Sequence, residues 1–215
     1  MDYEKHSPFG DLVRLSIFIG LAFFGAVPGV QAQNSVFIEK KPTKDLRNYL
    51  SEQIASKAID LSAPYDVELT GTLENSGKLR SDSLKYTRSD GNKAMVEVTK
   101  RVVGSLSEAG YFQYLRDMSA GEIRMFAKQD DTDFAAEVSF DVNGEARARS
   151  IVSGLEMMVR VARTRRGQPR AGRISDDEMV LLEALRFSAA YSLVRIQLRL
   201  PKQTFRGLAE RTISK

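Results

Sequence analysis

Arg160, Arg163, Arg165, Arg166, Arg170 and Arg173 crowd one stretch of the chain, with Arg147 and Arg149 just upstream. Only Glu145 and Glu156 oppose them nearby. Guanidinium groups at that density can hold phosphate or carboxylate oxygens through paired hydrogen bonds. The matching ligands are anionic lipid head groups, lipopolysaccharide phosphates or cell-wall polymers. The plainer reading is a solvated helix face running into a basic loop, since cations also favour a helix C-terminus. A second cluster, Asp130, Asp131 and Asp133, offers oxygens of the kind a hard divalent cation takes. It lacks the further ligands and the glycine of a calcium loop, so a polar hairpin turn is expected there.

Other chemistry is limited by composition. The 215 residues contain no Cys and no Trp, and His6 is the single histidine. That removes disulfides, thiolate nucleophiles, Cys/His zinc sites and, beyond the N-terminus, any histidine base. Ser81, Ser83, Ser89 and Lys85 lie close in sequence, but without an activating arrangement. There is no G-x-S-x-G, S-x-x-K, P-loop or G-x-G-x-x-G motif. The expectation is a protein that is not an enzyme and needs no cofactor or metal. An unrecognised carboxylate-based hydrolase is the third reading, because paired acids leave no sequence signature. Lys and Arg total 32 against 28 Asp and Glu, a net charge of +4, which does not by itself point to nucleic acid.

The N-terminus reads as an address. Leu15 to Val30 is uncharged, Arg14 precedes it, and Val30-Gln31-Ala32 offers a small-x-small cleavage site before Gln33. Asp2, Glu4 and Asp11 outnumber Lys5 and Arg14, where a signal peptide usually carries positive charge. Leu12 to Val30 used as an uncleaved anchor is the alternative. Both place the rest outside the cytoplasm, so nucleic acid is not an expected partner; an internal core helix is the third reading of the run and does not imply export. Residues 1–32 are thus read as a signal peptide or anchor, 33–129 as a first α+β region, and 130–215 as a second, either separate or one continuous domain with the first.

The periodicity that follows predicts helices alternating with strand pairs. A helix over 43–58 starts at Thr43 as N-cap and carries Leu46, Tyr49, Leu50 and Ile54. Tyr65 to Leu73 alternates as a half-buried strand, and Asn75-Ser76-Gly77 is a turn. A second strand spans Ser83 to Ser89. Ser89 and Asp90 are expected to cap a helix carrying Met95, Val98, Val102 and Leu106, closed by Gly110. Strands at Ile123 to Gln129 and Phe134 to Phe140 flank the Asp loop. A long helix follows Asn143-Gly144-Glu145 and stops at Gly167 and Pro169. Ser175 caps a short helix, and Leu185 to Ser188 and Leu193 to Leu200 form a last strand pair. Pro201 then opens a helix with Phe205, Leu208 and Ala209. The order α-ββ-α-ββ-α-ββ-α predicts an α+β fold, an antiparallel sheet with helices on one face.

Val67 to Gln129 resembles the C-terminal domain of TonB and TolA. The resemblance rests on V-E-L-T-G-T-L at 67–73, the turn Gly77-Lys78-Leu79, T-R-S-D-G-N at 87–92 and A-M-V-E-V-T-K-R-V-V at 94–103. It implies a ββαβ core and a place in the periplasm or cell envelope. The chain lacks the long Pro-rich spacer of a transducer, with six prolines in all. The resemblance therefore implies an exported interaction module, with another envelope protein as partner. An anion-binding envelope protein using the Arg-rich helix end is the alternative. Tyr111, Phe112 and Tyr114 are read as a plug between helix and sheet, or else as an exposed aromatic patch.

Overall fold

A computed structural model describes residues 39–118, 121–164 and 175–213. The expected signal or anchor segment, Gly167, Pro169 and the expected basic loop lie outside them. The elements are α1 (Lys40–Ala55), β1 (Tyr65–Thr72), β2 (Lys85–Gly91), α2 (Lys93–Glu108), α3 (Gln113–Asp117), β3 (Glu122–Gln129), β4 (Asp133–Asp141), α4 (Glu145–Thr164), α5 (Asp176–Ala184), β5 (Leu185–Ala190), β6 (Leu193–Pro201) and α6 (Lys202–Ile213). The six strands form one antiparallel sheet, β2-β1-β3-β4-β6-β5. The fold is α+β.

Strand periodicity separates the two faces. Rows such as Val67–Ala127–Ala136–Leu198–Leu185 and Leu69–Met125–Val138–Ile196 run across the sheet on the buried face. The helices cover that face. Met95, Val98, Val102 and Leu106 of α2 are buried, as are Leu46 and Leu50 of α1 and Phe205, Leu208 and Ala209 of α6. Phe134 of β4 stacks on Phe205 with ring centres 3.8 Å apart. All the buried apolar residues form one cluster. The opposite face neutralises itself with cross-strand pairs, Arg88–Asp66 at 3.1 Å, Arg199–Asp133 at 2.7 Å and Arg195–Glu137 at 3.9 Å.

Several boundaries differ from the sequence reading, each for a local reason. α1 begins at Lys40, and Thr43 lies inside it, donating its hydroxyl to Lys40 O. Ser89 and Asp90 continue β2, paired with Val67 and Asp66, so Asn92 is the cap of α2 and accepts from Met95 N at 3.0 Å. Pro201 ends β6 opposite Asp133 and does not open α6. Other signals act as expected. Gly110 N and Tyr111 N bond back to Ser107 O and Leu106 O and close α2. Ser175 and Glu178 form a capping box on α5. Tyr111 and Phe112 are buried, so the aromatic segment is a plug.

Candidate functional site

Arg160 and Arg163 are exposed near the end of α4. Arg163 donates to Leu182 O at 3.3 Å, which ties α4 to the end of α5. Arg165, Arg166, Arg170 and Arg173 fall outside the described residues. Two of the six predicted arginines are therefore placed.

The Asp130 loop is a closed hydrogen-bond unit. Asp130 Oδ1 accepts from Thr132 N, Thr132 Oγ1 and Asp133 N, each at 2.9 Å. Those bonds, from Asp133 N first, hold its pKa down at about 2. Asp133 in turn pairs with Arg199. Among the described residues no group of three or more His, Cys, Asp or Glu is placed to hold a metal ion. A cleft of about 280 Å³ lies beside this loop, between Asp66, Asp90, Lys128 and Asp131. Gln129 borders it, yet its amide serves the fold. Nε2 donates to Leu61 O and Ala63 O, both at 2.9 Å, while Oε1 is shut away from solvent without a partner. Tyr65 lies under α2, and burial pushes its hydroxyl pKa up, so it stays protonated.

The two edges of the sheet differ in kind. Among the described residues β2 pairs with β1 alone, but a bulge at Thr87 breaks its register, and Lys85, Arg88 and Asp90 charge its length. Bulges and charges are the features that keep a strand edge from pairing further. Among the described residues β5 pairs with β6 alone, in an unbroken register from Leu185–Leu198 to Ala190–Leu193. Its sequence L-R-F-S-A-A holds one charge and neither Gly nor Pro. A two-residue turn, Tyr191-Ser192, joins the strands, so the closing pair Ala190–Leu193 is the hydrogen-bonded kind. Phe187 and Ala189 then aim their N–H and C=O away from β6. Among the described residues these groups have no hydrogen-bond partner. The sequence carried the low charge of 185–190, but not the fact that this strand would be outermost.

No family model, curated protein or solved structure matches the chain. Among the described residues no helix is long and apolar enough to cross a membrane.

Proposed function

We propose that this chain is an exported, non-enzymatic protein of the cell envelope that binds another envelope protein by adding a strand of the partner to β5. The observation that carries the reading is the contrast between the edges. β5 offers a regular, nearly uncharged ladder in which, among the described residues, the outward groups of Phe187 and Ala189 are unpaired and only Leu185 O is taken, by Arg186 Nη1 at 2.7 Å, while β2 is bulged and charged. Strand addition draws its affinity from such main-chain groups and its specificity from alternate side chains. The uncharged run at 15–30 with its small-residue cleavage site supports export. The succession β1, β2, α2, β3 supports the TonB/TolA-like reading of residues 67–129, because it is the ββαβ order that the resemblance implies.

Ala189→Pro tests it. Proline removes one outward N–H and leaves the β5–β6 ladder intact, which edge strands tolerate. A photo-crosslinking residue placed at each β5 position in living cells should give one partner adduct, and Ala189→Pro should abolish it. The same residue at Lys85 or Thr87 should give none. Adducts from β2 with none from β5 would overturn the assignment.

A further inference from the structure

We propose that α4 pairs with α4 of a second copy of this chain, antiparallel, about a two-fold axis between Ser153 and Gly154. The face of α4 opposite its buried Ala148, Leu155 and Ala162 carries Ala146, Ser150, Ser153, Gly154, Met157 and Val161 at three- and four-residue spacing. That stripe holds no charge. Met157 is 63% exposed and Val161 38%, large apolar side chains left in water on one surface. The size order along the stripe is graded, small residues towards the N-terminus and large ones towards the C-terminus. Antiparallel pairing sets Met157 over Ser150 of the second copy and Val161 over Ala146. Parallel pairing would set large on large and leave small on small.

Charge selects the same arrangement. One flank of the stripe presents Glu145, Arg149, Glu156 and Arg160 in order. A two-fold axis across antiparallel helices brings this flank against its own copy. In the register that size requires, Arg149 comes within two residues, about 3 Å, of level with Glu156 of the second copy, and Glu145 likewise with Arg160, while within one helix Glu145 and Arg149 also pair with each other. Parallel pairing would instead set this flank against the opposite one, where Arg147 is the single charged residue among those described, so the Glu–Arg pairs would not form. Helix 1.5 Å rise per residue makes the stripe from Ala146 to Val161 roughly 22 Å long. An interface of that size is weak and concentration-dependent.

The absence of native cysteine allows a direct test on the full chain. Ser153→Cys sits beside the axis and should form a disulfide-linked dimer on mild oxidation. Ser150→Cys alone should not, since its copy lies roughly 10 Å away along the axis. Mixed with Met157→Cys, it should. Sedimentation across concentration gives the second measurement. Glu156→Arg should weaken the dimer roughly tenfold, and adding Arg149→Glu should restore it. No dimer from Ser153→Cys, or equal dimer from Ser150→Cys alone, would overturn the proposal. So would a sedimentation profile that Glu156→Arg leaves unchanged.

Discussion

Asp130 takes three hydrogen bonds from its own hairpin, and those bonds set its response to acid. Its carboxyl titrates at about 2 in the folded chain, while an unfolded Asp titrates near 3.9. A folded pKa below the unfolded one means stability that is complete above the unfolded value and lost as pH falls from about 4 through about 2. Asp130→Asn keeps an acceptor oxygen but not the charge. The stability gap between wild type and Asp130→Asn should be constant above pH 5 and close towards pH 2 in denaturant titrations. A gap that stays level down to pH 2.5 would show that the charge is not what holds the loop. Glycines give a second contrast at this scale. Gly77 has φ +76°, and a Cβ there would stand 2.4 Å from the Gln113 backbone. Gly144 has φ +89°, but its Cβ would meet nothing within 4 Å. Gly144→Ala should cost about 1 kcal/mol, from backbone strain alone. Gly77→Ala should cost about 2–4 kcal/mol, because overlap with the start of α3 is added. Equal losses by equilibrium unfolding would rule out the contact between the 77 turn and α3.

The elements were legible wherever one signal acted unopposed. Met95, Val98, Val102 and Leu106 could face only the core, and Ser175 with Glu178 could form only a cap. Misreadings fell where two local signals competed. Ser89-Asp90-Gly91-Asn92 has capping chemistry at three positions, and pairing with Val67 and Asp66 in β1 claims the first two. Asn92 is left to cap α2, so Asn92→Ala should destabilise by about 1 kcal/mol while Ser89→Ala changes little beyond its strand preference. Helicity loss with Ser89→Ala alone would reverse that assignment. Pro201 shows the same competition, since its position opposite Asp133 keeps it in β6. The arginine cluster was legible as composition, but composition does not reveal that Arg163 is spent on the Leu182 carbonyl. Strand order was beyond local signals altogether. Which strands become edges depends on how three hairpins join, and only the sheet reveals that β5 is the bare one.

At the scale of the whole molecule, two connections cross between the halves of the chain. β3 and β4 are one hairpin in the middle of the sheet, and α1 packs on both α2 and α6, the latter fixed to β4 by the Phe205–Phe134 stack. Leu46 and Leu50 of α1 and Phe205 of α6 belong to a single buried cluster, so no apolar seam separates an early from a late core. A chain tied in this way should unfold as one cooperative unit. Phe205→Ala removes a fully buried ring and should cost about 3–5 kcal/mol. The informative readout is where that loss appears. Hydrogen exchange should show amides of β1 and β6 opening with the same free energy in wild type. Phe205→Ala should lower both by the same amount, although β1 lies three strands from β6. Loss of protection confined to β4, β5 and β6 would mean that residues 65–129 hold together without the second half. The exposed β5 edge would then belong to a separately stable unit. Equal loss means that a strand added at β5 extends a sheet anchored through to α1. The proposed partner would then stabilise the whole chain, and β1 amides would gain protection on its binding.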